Sequence, residues 1–126
     1  MPAFFKIDKE RKLVMSTLAG VATLADGLAL QGNLRKHPDF DPSFSQLLDC
    51  THITKIEFTR EDMQRLARDP LFSPNSRRAI LVKDDLAFEL ARMFEMMRDL
   101  MGEQGIRVFR NLDEALEWVL DKDRAD

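Results

Sequence analysis

Short apolar runs along the chain predict five β-strands. They are expected at Ala3 to Ile7, Leu13 to Leu18, Gln46 to Cys50, Ala79 to Val82 and Ile106 to Phe109. These runs are rich in β-branched and aromatic residues or are continuously apolar, as in strands that are buried on both faces. The first two runs are separated by a stretch of charged residues, so we expect them to form a hairpin.

Longer segments with helical spacing predict four helices, and each begins beside a residue that can cap it. Thr23, Thr59 and Asn111 each stand three positions before an acidic residue, which is the spacing of a helix N-cap interaction. Asp84 or Asp85 is expected to cap the longest helix. The first and last helices are expected over Leu24 to about Arg35 and over Leu112 to Leu120.

Glycine and proline mark the other expected boundaries. Gly20 is expected to close the second strand, because glycine adopts backbone conformations that end regular structure. Pro38 and Pro70 are expected to end the first and second helices. Gly102 and Gly105 bracket the expected end of the third helix.

The third and longest helix has a wide apolar arc. On a helical wheel this arc gathers Leu86, Leu90, Met93, Phe94, Met97, Leu100 and Met101. An amphipathic pattern of this kind predicts that the arc packs against a sheet.

The predicted order of elements is β-β-α-β-α-β-α-β-α, with no internal repeat and no linker. This order indicates an α/β fold with one mixed sheet of about five strands and about four helices. The later strands are expected to run parallel through right-handed helical crossovers. The 126 residues are close to the usual size of one domain, so we expect a single domain over residues 1–126.

Composition and charge exclude several classes of function. Nineteen Lys and Arg against 22 Asp and Glu give a net charge of −3, which provides no basic field for binding nucleic acid. No apolar run has the length of a membrane span and the chain start lacks a signal-peptide pattern, so membrane insertion is not expected. The lone cysteine, Cys50, cannot form an internal disulfide and fits a reducing cytoplasm.

Candidate catalytic and metal-binding residues are few. The glycines form no phosphate-binding loop, and one cysteine with His37 and His52 falls short of a structural zinc set, so neither cofactor nor metal is expected. Cys50 and His52 could share a strand face as the nucleophile and base of a hydrolytic enzyme. Such pairs usually come from separate elements and need a third, orienting group, so we expect a buried strand cysteine and no enzymatic activity.

The segment from Asp49 to Thr59 resembles the phosphorylation region of STAS domains, the family of sulfate transporters and anti-sigma-factor antagonists. In that family an acid ends a central strand and a phosphorylatable Ser or Thr begins a helix. Asp49 matches the acid at the strand end, and Glu57 matches a second acid of the pattern. Thr59 matches the phosphorylatable residue, whereas Arg60 stands where the family has a glycine. The other matched or altered positions are the hydrophobic pair Ile53 and Ile56, and Phe58 in place of a small residue.

The whole chain is similar to the bacterial SpoIIAA-like group of STAS/SEC14-like domains, notably in residues 39–44, 72–79 and 90–96. This resemblance implies a non-enzymatic domain that acts in protein–protein interaction or regulation. The partner surface would contain Thr59, Asp49, Glu57 and Arg60, and phosphate on Thr59 would sit where a helix N-terminus favours an anion. Alternatively, Thr59 only caps its helix.

A second candidate surface lies on the outer side of the third helix. Phe88, Arg92 and Met96 fall outside the apolar arc, and Trp118 is displaced in the same way on the last helix. If they form one patch, they would bind a second copy or another protein, because aromatic residues, Met and Arg are enriched at interfaces. We expect a homodimer, although single exposed apolar residues are also ordinary on a monomer.

An alternative function is the binding of a small apolar, lipid-type ligand. The resemblance to SEC14-like domains implies a pocket for such a ligand between the sheet and the helices. Candidate lining residues are Phe4, Phe44, Met93, Phe94 and Met97. The other interpretation is that these residues fill an ordinary close-packed core. A cavity beneath the longest helix would distinguish the two.

Overall fold

The computed structural model describes residues 3–68, 71–102 and 105–121. The strands are β1 (Ala3–Asp8), β2 (Leu13–Ala22), β3 (Ser45–Ile56), β4 (Arg78–Leu81) and β5 (Ile106–Phe109). The helices are α1 (Leu24–Lys36), α2 (Arg60–Arg68), α3 (Asp85–Leu100) and α4 (Leu112–Leu120). This order confirms the predicted α/β arrangement.

The five strands form one mixed sheet whose spatial order follows the chain, β1-β2-β3-β4-β5. β1 and β2 pair antiparallel, and the remaining neighbours pair parallel. Parallel neighbours require a crossover connection, and α1, α2 and α3 provide the three that are needed. All four residues of β4 are buried, as expected for a strand that is covered on both faces.

The side chains of each strand alternate between the two faces of the sheet. One face packs against α4, where Leu47 and Leu81 of the strands meet Val119 of the helix. The opposite face packs against α3, where Ile80 and neighbouring strand residues meet Ala91. α3 and α4 therefore lie on opposite faces of the sheet.

β2 and β3 are longer than predicted, and the prediction that Gly20 closes β2 is wrong. Gly20 lies inside the strand with φ of +67°, where the register between β2 and β3 shifts. Because glycine adopts this left-handed conformation without a steric penalty, the strand continues through the irregularity to Ala22. β4 pairs with β3 only from Gln46 to Asp49, so the last part of β3 extends beyond β4 beside β2.

The buried side of α3 also differs from the predicted arc. Ala87 and Ala91 are buried against the sheet, whereas Leu86 is 60% and Leu100 is 88% exposed, and Met101 is exposed as well. α3 is apolar on more than one side, and the side with the short alanine side chains is the one that faces the strands. Helical spacing alone did not identify that side.

Three helix caps in the structure agree with those predicted from the sequence. Thr23, Asp84 and Asn111 each accept a backbone N–H from the residue three positions on, at 3.2, 2.8 and 3.0 Å. These contacts confirm the predicted starts of α1, α3 and α4. Pro70, the predicted end of α2, lies outside the described residues. None of the helices in the described part of the chain has the length and apolarity that a membrane crossing needs.

Candidate functional site

A cavity of about 130 Å³ lies between the sheet and helices α1, α2 and α3. Its wall is mostly apolar. The strand residues that line it include Leu18, Leu48, Cys50, Ile80 and Val82, and the helix residues include Leu30, Met63, Leu66, Ala87, Leu90, Ala91 and Phe94. An apolar cavity of roughly 150 Å³ in another protein holds benzene. The space is therefore close to that needed by a molecule the size of one ring.

Helix α2 covers this cavity. Its buried residues Met63 and Leu66 line the space, and α2 packs mainly against α1 and α3. Gly27 of α1 makes room for this packing, since a Cβ atom there would lie 2.9 Å from Cδ2 of Leu66. The side-chain Nε2 of Gln31 donates to the carbonyl of Leu66 at 3.2 Å. α2 is thus fixed by the helix beside it, and space is left between α2 and the strands.

A short polar chain interrupts the apolar wall where β3 and β4 begin. Gln46 is 5% and Arg78 is 9% exposed, and both line the cavity. Nε of Arg78 donates to Oε1 of Gln46 at 3.1 Å, and Nε2 of Gln46 donates to Oγ of the buried Ser16 at 3.1 Å. The guanidinium carbon of Arg78 lies 4.8 Å from the ring centroid of Phe72. The cavity consequently has one end that can form hydrogen bonds.

Cys50 lines the cavity, whereas His52 is not one of the lining residues. The register between β2 and β3 shifts between Thr17 and Ala19, which pair with Asp49 and His52, so β3 holds one extra residue at this point. The exposed His52 places Nε2 3.8 Å from Oδ2 of Asp49. Burial raises the pKa of the Cys50 thiol to about 12, and the neighbouring Asp49 carboxylate acts in the same direction. The thiol is therefore protonated at neutral pH, and among the described residues no hydrogen bond joins it to a histidine.

Thr59 forms the N-cap of α2. The backbone N–H of Asp62 donates to Oγ1 of Thr59 at 3.1 Å, and the backbone N–H of Thr59 donates to Oδ2 of Asp62 at 3.0 Å. This reciprocal pair is a capping box with Asp in the acidic position. Thr59 and Arg60 are exposed, while the preceding residue, Phe58, lines the cavity.

The other residues of the predicted partner surface lie apart from this cap. Asp49 lies inside β3 and not at its end, and its Oδ1 accepts the backbone N–H and the hydroxyl of Thr51 at 2.9 and 2.6 Å. Glu57 is exposed and forms an ion pair with Lys55 at 3.3 Å. Within the described residues, no hydrogen bond joins Asp49 or Glu57 to Thr59.

The residues predicted for a dimer surface are not gathered into one patch. Phe88 is half-buried beneath the guanidinium of Arg110, whose carbon lies 4.7 Å from its ring centroid. Met96 is 60% exposed, and Arg92 on the same helix is occupied by an ion pair with its own helix neighbour. Trp118 lies on α4, across the sheet from these residues, so it cannot share a surface with them in one copy of the chain.

One of the five predicted pocket residues, Phe94, lines the cavity. Phe4 is 53% exposed on β1, and Phe44 packs in a separate core cluster. Met93 and Met97, the helix neighbours of Phe94, are not part of the wall. Sequence reasoning missed the walls contributed by the sheet, α1 and α2, and it missed the polar chain. Alternation from Leu48 and Ile80 would have placed Gln46 and Arg78 on the same face of the sheet.

Metal-ligating side chains do not cluster in the described parts of the chain. Nowhere among these residues do three or more His, Cys, Asp or Glu side chains come together as a metal ion would require.

Comparison with known proteins identifies the fold. No family model matches the chain, and no curated protein does. A matching crystal structure is that of an uncharacterised protein of the DUF3478 family from Shewanella loihica PV-4, described as SpoIIAA-like. The two chains are 17% identical, with a TM-score of 0.63 and coverage of 93% of each chain. The chain has a SpoIIAA-like fold. This finding confirms the predicted fold, and at this identity it concerns the fold alone.

The raised pKa of Cys50 predicts that its thiol reacts slowly with alkylating reagents. With a pKa near 12 in place of 9.0, the thiolate fraction at pH 8 falls about a thousandfold, and the thiolate is the reactive form. We expect iodoacetamide to label native protein at least about a hundredfold more slowly than the chain unfolded in guanidinium chloride. A mass-spectrometric time course measures both rates, with Cys50→Ser as the control for labelling elsewhere. Equal rates in the two states would contradict this account of the thiol.

Proposed function

We propose that the protein is a non-enzymatic SpoIIAA-like domain that binds a small apolar ligand in the cavity beneath α2 and α3. The observation that carries this proposal is about 130 Å³ of space walled by apolar side chains. Protein interiors are close-packed, and atoms that line an empty space lose dispersion contacts. A cavity of this size in a chain of 126 residues therefore favours an occupant.

The wall of the cavity supports entry near the start of α2. Ile80 and Val82 form part of the floor and are buried, whereas Ile53 and Phe58 are half-buried. Ile53 and Phe58 belong to the segment that leads from the extension of β3 into α2. This segment pairs with β2 on one side only, so it can move with less disruption than the centre of the sheet.

The chemistry of Cys50 supports a binding role over hydrolysis. Its thiol is protonated at neutral pH because burial raises its pKa, and Nε2 of His52 lies 3.8 Å from Oδ2 of Asp49. A nucleophilic cysteine needs a lowered pKa or an adjacent base. The cytoplasm stays the predicted location, since it rests on the lone cysteine of the sequence.

A larger side chain on α3 that fills the cavity tests the proposal. We expect benzene to bind the wild-type protein in a saturable manner, seen by NMR as shifts of the methyl groups of Leu48, Leu66 and Ile80. Ala91 is buried at the cavity wall, so Ala91→Met should occupy the space. The variant should bind benzene at least about tenfold more weakly and gain about 1 kcal/mol in free energy of unfolding.

The matched control is Ala29→Met, which makes the same change at an exposed position of α1. We expect this variant to bind benzene as the wild type does. The proposal fails if wild-type protein shows no saturable shifts, or if both methionine variants lose binding to the same extent.

A regulatory surface at the start of α2 is the second candidate function. The exposed capping hydroxyl of Thr59 favours it, because the free N–H groups and dipole of a helix N-terminus favour an anion at that position. Phosphate on Thr59 would add nearly two negative charges to a surface that includes Arg60 and Glu57. A protein partner contacting this surface would sense that change. The homodimer stays a prediction from the sequence.

An acidic substitution tests this second function. Asp caps a helix about as well as Thr, so Thr59→Asp should keep the helix start intact while adding charge. We expect affinity capture from the source cells to yield a protein partner whose recovery differs between wild type and Thr59→Asp. Thr54→Asp adds the same charge at an exposed position of β3 and should behave as wild type. Identical recovery with all three proteins would exclude a switch at Thr59.

A further inference from the structure

The amide of Gln46 has a fixed orientation in the cavity wall. Arginine carries hydrogen-bond donors and no acceptor, so the atom that receives Nε–H of Arg78 at 3.1 Å must be the carbonyl Oε1 of Gln46. The amide nitrogen Nε2 consequently points to the other side, where Oγ of Ser16 accepts from it at 3.1 Å. The donor end and the acceptor end of this amide are therefore assigned by its neighbours.

The amide nitrogen of Gln46 has a hydrogen-bond donor to spare. It carries two N–H groups. One donates to Ser16, and no side chain or carbonyl among residues 3–68, 71–102 and 105–121 accepts the other. Gln46 is 5% exposed and lines the cavity, so its side chain is largely shielded from bulk solvent. A buried donor without a partner is costly, and an acceptor atom inside the cavity would remove that cost.

Arg78 makes this N–H group a stronger donor. Its positive charge acts on Oε1 of Gln46 through the 3.1 Å hydrogen bond, and such a bond polarises the rest of the amide. A cation has no acceptor to offer this N–H and would lose its hydration against an apolar wall. An anion would lose its hydration and gain one neutral N–H from Gln46, which is a poor exchange. A neutral acceptor suits this end of the wall best.

From these contacts we propose that the cavity selects a small neutral molecule with one carbonyl-type oxygen. The oxygen accepts the spare N–H of Gln46, and a hydrocarbon body of about one ring lies against Leu48, Ile80 and Phe94. This inference rests on the ligand-binding function proposed above and adds the chemical class of the ligand.

A pair of ligands with the same shape tests the inference. Cyclohexanone and methylenecyclohexane differ by an oxygen in place of a CH₂ group. Gln46→Glu keeps the side-chain size and the oxygen that accepts from Arg78, but the ionised carboxylate has no N–H. We expect this variant to bind cyclohexanone at least about tenfold more weakly than wild type, and methylenecyclohexane within about twofold, as measured by NMR titration.

Gln31→Glu is the matched control. Gln31 also lines the cavity, and its substitution adds the same charge away from the polar chain. It should change the affinities for the two ligands by the same factor. A selective loss of cyclohexanone binding in both glutamate variants, with methylenecyclohexane binding retained, would assign the effect to charge and overturn the role of the Gln46 N–H.

The outcomes separate this inference from the function on which it rests. If neither ligand binds wild type, the ligand-binding function fails and the inference fails with it. If both bind and Gln46→Glu weakens them equally, ligand binding stands and the selectivity is overturned. If Gln46→Glu does not fold, the infrared carbonyl stretch of cyclohexanone bound to wild type decides. A lower frequency than in cyclohexane solution supports the hydrogen bond, and an unchanged frequency overturns it.

Discussion

Helix α2 is held above the sheet by its contacts with α1 and α3, and the candidate site depends on this arrangement. Gly27 lets Leu66 approach α1 closely, and the amide of Gln31 bonds to the carbonyl of Leu66 at 3.2 Å. Both attachments lie beside the space and do not draw the helix onto the strands. Apolar volume therefore persists between Met63 on the helix and Ile80 on the sheet. The short side chains of α3 on this face leave it unfilled.

The hydrogen-bonded chain of Arg78, Gln46 and Ser16 makes one end of this cavity polar, whereas the rest of its wall is mostly apolar. A buried guanidinium is tolerated where hydrogen bonds compensate for its lost hydration, and Gln46 provides one of them. All three residues lie on strands, which hold side chains more rigidly than loops do. A polar group of a ligand would thus meet a fixed partner, while its apolar body would meet the helices that cover the sheet. Binding energy and selectivity would come from different walls of the same cavity.

Much of the fold could be predicted because local signals agree with the sheet that forms. β5 and α4 were predicted at their observed bounds, since Asn111 caps a short periodic segment directly after an apolar run. The extension of β3 to Ile56 was missed because residues 51–56 are mostly polar and Ile53 and Ile56 stand three positions apart, so they lack the period-two pattern of a strand. The cavity could not be predicted, because an empty volume depends on how closely the helices pack against the sheet and not on the periodicity of their apolar residues. Phe94 lines it and Met97 does not, and Arg78 stands one residue before the run predicted as the fourth strand.

Ligand binding depends on apolar volume beneath α2 that a guest molecule can fill. Diffraction from crystals of the protein held under xenon gas tests this directly, because xenon enters apolar cavities and is seen by its electron density. We expect a xenon atom between Leu48, Ile80 and Phe94. A crystal structure in which Met63 and Leu66 pack directly onto the strands, with no xenon bound there, would contradict it.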